Sequence, residues 1–172
     1  MTEPLHSARL DLLPLRVEHA EEMAAVLADP ALHTFIGGEP AAPKALRARY
    51  ERLVAGSPDP AVAWHNWVLR LRAEDRLTGT VQATVAGDRA EIAWVVGTGW
   101  QGRGIASEAA GALVEHLVRQ GARTVLAHVH PDHAASAAVA RAAGLAPTGQ
   151  WQDGEVRWQV RPDERAGRIV GT

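Results

Sequence analysis

A single strand–helix–strand passage in the middle of the chain limits what this sequence can fold into. Residues 90–96, AEIAWVV, and residues 124–130, TVLAHVH, both read as strands, and residues 105–119 between them read as a helix that stops at Gly121. The helix carries one apolar residue at every fourth position: Ile105, Ala109, Leu113 and Leu117. A crossover of this kind places its two strands parallel to each other.

Three strand-like segments lie close together at and before this crossover. They cover residues 65–73, 77–85 and 90–96, and the short polar connectors AEDR and AGDR between them are typical of antiparallel hairpins. Antiparallel strands followed by one parallel crossover predict a mixed α/β sheet and not a doubly wound parallel one.

The rest of the chain supplies further helices and strands. We expect a strand at residues 9–15, a helix from residue 16 to Pro30, a loop at residues 33–43, a helix from Pro43 to Gly56 and another at residues 133–143. The apolar face of the second of these helices comprises Leu46, Tyr50, Leu53 and Val54. Asp153 and Gly154 predict a two-residue hairpin turn between the last two strands, and residues 161–172 predict a frayed tail.

Composition excludes several classes of function. The 172 residues suffice for one domain with a sizeable core, so we expect a single domain over residues 1–172. A net charge of −2 offers no basic surface for nucleic acid or an anionic membrane. The absence of cysteine excludes disulfides, thiolate zinc sites and cysteine nucleophiles. Glu3, Arg9 and Asp11 occupy the place of an apolar signal-peptide run, so we expect a cytoplasmic protein with no membrane partner.

The spacing Gly97-x-Gly99-x-x-Gly102 matches a dinucleotide-binding turn, but its surroundings do not. In that fold Gly102 and Gly104 would fall inside the first turns of the helix, each costing about 1 kcal/mol relative to alanine. No acidic residue lies at residues 120–123 to hold a ribose, and one crossover cannot supply the paired halves of that fold. We therefore reject a dinucleotide site.

The segment HVHPDH, residues 128–133, fits the His-x-His-x-Asp-His pattern of a metallo-β-lactamase-type zinc site. His128 and His130 share one face of a strand, and Asp132 and His133 could converge with them. Such a site needs further ligands from later in the chain, however, and no His or Cys follows His133. We expect a partly buried strand histidine at position 128 and no metal; a metal-dependent hydrolase is the remote alternative.

The glycines predict a phosphate-binding junction instead. Residues 101–107, QGRGIAS, join a strand to a helix. Gly102 and Gly104 permit positive φ and a close approach of the backbone to a ligand. The first amides of the helix, at Ile105, Ala106 and Ser107, lack intrahelical acceptors, and the positive end of the helix dipole favours an anion. Since Arg103 adds a full charge, the junction is suited to a pyrophosphate.

This loop resembles that of a known family. Its sequence QGRGIA matches the Q/R-x-x-G-x-G/A motif of the GNAT superfamily of acyl-CoA-dependent N-acetyltransferases. Residues 8–30 look like the opening of its RimJ/RimL-type branch, and residues 130–145 look like the Asn-x-x-Ser…Gly-Phe helix segment. The resemblance implies the GNAT fold, an α/β domain with flanking helices and a mixed central sheet that splays at its parallel strands.

The resemblance also implies that acetyl-CoA is the co-substrate and that no metal is used. In the family, backbone groups of the strand hold the pantetheine arm and the acetyl group, the loop binds the pyrophosphate, and a helix serine supports the departing thiolate. The matching positions are Trp94, Val95, Val96, Gln101, Gly102, Arg103, Gly104, Ile105, Ala106, Ser107, His133 and Ser136. Two positions depart from the pattern: His133 replaces an asparagine, and Ala140 replaces the tyrosine that many members use as general acid.

The implied reaction is direct acetyl transfer to a primary amine, either a protein N-terminus or a small molecule. We expect the acceptor cleft at the following residues: Phe35, Trp64, Asn66 and Trp67. Glu91 is the predicted general base, because it opens the strand that would hold the acetyl group and, on the face of Ala93 and Val95, should be partly buried. A monomer or a homodimer is expected. The alternative is a non-catalytic acyl-CoA-binding or regulatory module, which the alanine at position 140 favours.

Overall fold

The computed structural model describes residues 2–160, which form eight strands and five α-helices. The strands are β1 (Leu5–His6), β2 (Leu10–Pro14), β3 (Val62–Leu71), β4 (Arg76–Ala86), β5 (Arg89–Val96), β6 (Thr124–Val129), β7 (Ala146–Gln152) and β8 (Glu155–Val160). The helices are α1 (Ala20–Val26), α2 (His33–Ile36), α3 (Pro43–Ala55), α4 (Ile105–Arg119) and α5 (Ala134–Ala142). Within this part of the chain, no helix is long and apolar enough to cross a membrane.

The described strands join in one sheet, in the order β1-β2-β3-β4-β5-β6-β8-β7. Neighbouring strands are antiparallel except for β5 and β6, which run parallel and are connected through α4. The antiparallel hairpins at AEDR and AGDR and the single parallel crossover are therefore confirmed. So is the mixed sheet.

β5 and β6 separate soon after they pair. Their backbones are in register only from Arg89↔Thr124 to Glu91↔Leu126. Beyond that point β5 continues along β4, while β6 continues along β8. The V-shaped opening between the two strands, called the wedge below, is the splay that the family resemblance implied.

Helices cover both faces of the sheet. α4 packs on one face through its predicted apolar stripe, and each residue of that stripe is at most 4% exposed: Ile105, Ala109, Leu113 and Leu117. Burying one such leucine contributes about 2 kcal/mol by removing apolar surface from water. α1 and α3 pack on the other face, where Met23 and Tyr50 meet Val68 of β3 in a second apolar cluster.

Three local differences from the sequence expectations have physical causes. Residues 33–43 were expected to form a loop, but α2 forms there after a short turn in which the Asp29 carboxylate accepts from the amide of Ala31. β1 has two residues, too few for any periodic pattern, and exists because it pairs with β2. Val54 is 53% exposed, because each step of four residues rotates a helical stripe by about 40°, which carries this position off the face of Leu46.

The predicted hairpin turn between β7 and β8 is confirmed. Asp153 has φ of +50° and Gly154 has φ of +80°. Positive φ at both central residues characterises the type I′ turn, whose twist matches that of the flanking strands. The predicted tail at residues 161–172 lies outside the described residues.

Candidate active site

A cleft of about 550 Å³ opens at the wedge, on the face of the sheet that α1 and α3 cover. Asn66 of β3 and Ala93 and Val95 of β5 form part of its floor, and residues of α2 and of the turn after β6 form part of its rim. The cleft therefore lies where the parallel strands diverge and the sheet offers unpaired backbone.

β5 directs alternate backbone groups into the wedge. The amide of Gly97 donates to the Thr78 carbonyl at 2.8 Å, so odd-numbered residues of β5 form the hydrogen-bonded pairs with β4. The N–H and C=O groups of Trp94 and Val96 consequently point the other way, toward the space that β6 has left. The backbone of Val95 is engaged with β4, and its side chain lines the cleft.

The glycine loop ends β5 and begins α4. The side-chain amide of Gln101 donates to the Val96 carbonyl at 3.0 Å, which ties the loop to the end of the strand. Gly102 and Gly104 have φ of +76° and +77°, a left-handed conformation that glycine adopts without strain. Gly104 is the N-cap of α4 and has no side chain to cap it, so the first amides of the helix remain available to an anion.

Two arginines near the loop are held by carboxylates. The Arg103 guanidinium donates to Glu74 at 3.1 Å, in the turn between β3 and β4. Arg9 donates from Nε to Glu108 of α4 at 2.8 Å, and its Nη2 lies 3.4 Å from the position that a Cβ on the N-cap glycine would take. Burial raises the pKa of Glu108, but hydrogen bonds from Ser7 and Arg9 bring it below its ordinary 4.5. Glu108 thus stays ionised and keeps a cation at the start of α4.

Glu91 and His128 form a hydrogen-bonded pair where the wedge begins. Glu91 is the last β5 residue in register with β6, and its Oε1 lies 2.7 Å from Nδ1 of His128. The Glu91 side chain is 46% exposed and that of His128 is 10% exposed. The expectation of a partly buried Glu91 is therefore wrong, because its carboxylate reaches across to the neighbouring strand and stays open to the cleft. His128 is a largely buried strand histidine, as expected.

α2 and the turn before α5 meet at the rim of the cleft. The Phe35 ring stacks on His133 with ring centroids 4.2 Å apart, and it contacts His130 at 5.3 Å. Burial, followed by the nearby His130, lowers the pKa of His133, so this imidazole is neutral at pH 7. Ser136, in the first turn of α5, has its hydroxyl 3.5 Å from Nε2 of His133.

The sequence and this geometry match one family. A profile of the acetyltransferase (GNAT) domain matches residues 9–146. The chain belongs to the GNAT acetyltransferase family. No curated protein gives a significant match to its sequence.

Solved structures similar to this GNAT domain cover nearly all of it. The acetyltransferase (GNAT family) from Bacillus anthracis is similar at a TM-score of 0.79 and 17% identity, over 94% of this chain and 99% of that chain. RimL, a ribosomal L7/L12 alpha-N-protein acetyltransferase in complex with coenzyme A, is similar at a TM-score of 0.76 and 18% identity, over 92% of this chain and 98% of that chain. A chimera of the spermidine N-acetyltransferase SpeG from Vibrio cholerae and hSSAT is similar at a TM-score of 0.74 and 15% identity, over 94% of this chain and 100% of that chain. Likeness at such identities establishes the fold and agrees with the RimJ/RimL-type resemblance.

Only some of the residues predicted to contact the acceptor line the cleft in the structure. Phe35 and Asn66 line the cleft of this GNAT domain. Trp67 is 1% exposed, and its Nε1 donates to the Glu3 carbonyl at 2.7 Å. Because successive strand residues face opposite sides, Trp67 points to the α4 side, and its prediction as a substrate contact is wrong. Trp64 shares the face of Asn66 but is not among the cleft-lining residues that the structure describes.

Two residues of the site were missed from the sequence. The sequence pattern indicates only a metal ligand or a strand histidine at His128, because its place on the face of Glu91 depends on the register of β5 with β6. Arg9 gave no local signal, because its partner Glu108 lies 99 positions away.

The histidine-rich segment forms a local turn in the structure. The amide of Asp132 donates to Nδ1 of His130, and the Asp132 carboxylate lies 3.9 Å from that nitrogen. Within residues 2–160, no group of three or more His, Cys, Asp or Glu side chains is arranged to hold a metal ion. The absence of a metal stays a prediction.

Proposed function

We propose that this GNAT domain is an N-acetyltransferase that moves the acetyl group of acetyl-CoA directly to a primary amine. The observation that carries the proposal is Glu91, an ionisable carboxylate that opens into the wedge beside the free backbone of β5. A protonated amine cannot attack a thioester, so a base at this position supplies what the reaction needs. Glu91 is accordingly assigned to the set of residues that accepts the proton of the amine.

The residues present fit acetyl-CoA. The N–H and C=O groups of Trp94 and the N–H group of Val96, which have no strand partner, suit the amides of a pantetheine arm. The uncapped start of α4 suits a pyrophosphate, and a Cβ on Gly102 would meet nothing within 4 Å, which leaves that side of the loop open. The proposed acetyl-CoA contacts are Trp94, Val95, Val96, Gln101, Gly102, Arg103, Gly104, Ile105, Ala106, Ser107, His133 and Ser136. Arg9 joins them by its position beside Gly104.

The charge of the cleft favours a cationic acceptor. Glu39 and Glu155 line it together with Glu91, against one arginine, Arg49. A cleft with an excess of carboxylates raises the local concentration of ammonium groups. Among the similar structures, RimL is an alpha-N-protein acetyltransferase and SpeG is a spermidine N-acetyltransferase. Both acceptor classes, a protein N-terminus and a small amine, are proposed. Phe35 and Asn66 line the cleft proposed for the acceptor, and Trp64 lies on the same face of β3 as Asn66.

The departing CoA thiolate needs a hydrogen-bond donor or a proton. The Ser136 hydroxyl is assigned this role, with water as the ultimate proton source. Ala140, which is fully buried, has no group to offer. We expect the reaction to proceed without a side-chain general acid of tyrosine type.

The experiment is an acetylation assay with free-thiol detection. Acetyl-CoA is mixed with the protein and with polyamines, amino acids, aminoglycosides or peptides that carry a free α-amino group. We expect thiol release that depends on one amine class, with mass spectrometry showing one acetyl group on that amine. Tight CoA binding without amine-dependent thiol release would refute catalysis and support the regulatory module. A cytoplasmic location and a monomeric or homodimeric state belong to the same proposal.

A further inference from the structure

The pair formed by Glu91 and His128 contains a second basic atom besides the carboxylate. Glu91 Oε1 and His128 Nδ1 are 2.7 Å apart, the distance of a strong hydrogen bond. An ionised carboxylate can only accept, so the proton of this bond sits on Nδ1 of His128. In the neutral imidazole the other nitrogen, Nε2, then carries a lone pair.

Nε2 of His128 is free and accessible. Among the described residues it has no hydrogen-bond partner, and it is absent from the fully buried polar atoms that lack one, which are Nε of Arg70 and Nε of Arg157. His128 lines the same cleft as Glu91. A partner-free ring nitrogen on a cleft-lining residue, with the tautomer fixed by a carboxylate at the other nitrogen, is the arrangement that a general base requires.

We infer that His128 Nε2 is the atom that takes the proton from the acceptor amine, with Glu91 as the positioning carboxylate. The inference rests on the proposed function. The substrate ammonium gives one proton to Nε2, and the freed lone pair on nitrogen forms a bond to the thioester carbonyl carbon. The carbon–sulfur bond breaks and its electron pair leaves on sulfur. The new amide nitrogen gives its second proton to water, and the thiolate takes up a proton from water. Glu91 balances the charge of the imidazolium through the Nδ1 hydrogen bond.

The surroundings of His128 are compatible with this role. Arg157 lies directly opposite His128 on β8, but its Nη1 is engaged with Gln150 at 2.9 Å. Glu155 of β8 lines the same cleft, and His130 follows on the same segment. Of these groups, the Glu91 carboxylate is the one hydrogen-bonded to the His128 ring among the described residues. Histidine is the side chain that most often serves as a general base in enzymes.

The test measures turnover in His128→Gln, His128→Ala, Glu91→Gln and the double variant of His128→Gln with Glu91→Gln. Each variant is checked for folding by circular dichroism and for CoA affinity by calorimetry. We expect His128→Gln to lower kcat about 10²-fold or more, with KM for acetyl-CoA and CoA affinity unchanged. The double variant should be no worse than His128→Gln, because the two residues act as one unit. Added imidazole should restore turnover to His128→Ala and should not restore it to Glu91→Gln.

A matched control is His6→Gln. His6 also pairs with a carboxylate, Asp11, at 2.9 Å, but it lies outside the cleft. This variant should turn over like the wild type. A His128→Gln variant with wild-type kcat and pH profile would overturn the assignment and leave Glu91 alone as the base.

A measurement on the native protein covers the case in which the variants fail to fold. Nitrogen NMR of the imidazoles reports which ring nitrogen bears the proton. We expect the Nδ1–H tautomer at His128 above neutral pH, and an Nε2–H tautomer would overturn the inference. Absence of amine-dependent thiol release in the wild type would instead contradict the proposed function, so the two failures are distinguishable.

Discussion

Replacement of Gly104 tests whether the start of α4 binds the pyrophosphate. Gly104→Ala introduces a side chain at φ of +77°, which costs about 1 kcal/mol of stability for the left-handed backbone. Space is no obstacle, because the new Cβ would meet only Nη2 of Arg9, at 3.4 Å. Alanine adds no charge, so we expect its effect on CoA affinity to stay below about tenfold, or 1.4 kcal/mol.

Gly104→Asp has a backbone cost no greater than that of alanine, because aspartate tolerates the left-handed region better, and it adds a carboxylate beside the bound phosphates. Two like charges about 4 Å apart repel by about 4 kcal/mol at the effective dielectric constant near a protein surface, and salt reduces this. The new carboxylate would also pair with Arg9 and withdraw that cation from the phosphates. We expect CoA affinity to fall at least about 10²-fold.

Calorimetric titration with CoA measures both variants, and pantetheine, which lacks the pyrophosphate, is the control ligand. Pantetheine affinity should be similar in Gly104→Asp and Gly104→Ala. Because an acidic residue at a helix N-terminus is stabilising, the aspartate variant should fold. Equal CoA affinity in the two variants would refute the placement of the pyrophosphate at this loop.

Three further outcomes follow from the structure. Glu91→Gln should lower kcat about 10²-fold at neutral pH and less as the amine deprotonates at higher pH; wild-type kcat across that range would exclude Glu91. Leu113→Ala should cost about 2–5 kcal/mol of unfolding free energy by urea titration, whereas the exposed Val54→Ala should stay within about 0.5 kcal/mol, and similar losses would contradict the core described. Hydrogen bonds from Arg70 and His6 hold the pKa of Asp11 at about 2, below its ordinary 3.8. A carboxyl whose folded pKa is depressed stabilises above its unfolded pKa, so this contribution is present above about pH 4 and lost toward about pH 2; Asp11→Asn should flatten that dependence in urea titrations.

Elements with strong local signals were predictable. The helix at Ile105–Arg119 has the bounds expected from its four-residue apolar spacing. The turn at Asp153 and Gly154 was predictable because aspartate followed by glycine adopts positive φ readily. The wedge was expected from a family resemblance and not from periodicity. No local pattern determines how many residues of two parallel strands stay in register.

The parts of the site that were not predictable depend on contacts distant in sequence. Asn66 and Trp67 are equally plausible as cleft residues until the sheet assigns their faces, and only Asn66 reaches the cleft. The exposure of Glu91 depends on a hydrogen bond to a histidine 37 positions later. The cation at the start of α4 comes from Arg9, which precedes its partner by 99 positions. The spacing of residues along the chain does not predict such pairs.

The wedge also has a consequence for how the protein opens. Three residue pairs join the halves of the sheet between β5 and β6, and the amides of Trp94 and Val96 beyond them have no strand partner. Hydrogen exchange in the free protein should therefore alternate along β5, fast at these positions and slow at Val95. A ligand bound in the wedge would connect the two halves of the sheet and remove the alternation of exchange rates along β5. On the proposed function that ligand is acetyl-CoA, and at a concentration 100 times its Kd it would raise the free energy of unfolding by about 2.7 kcal/mol. The lifetime of the folded enzyme would then rise and fall with the supply of its own co-substrate.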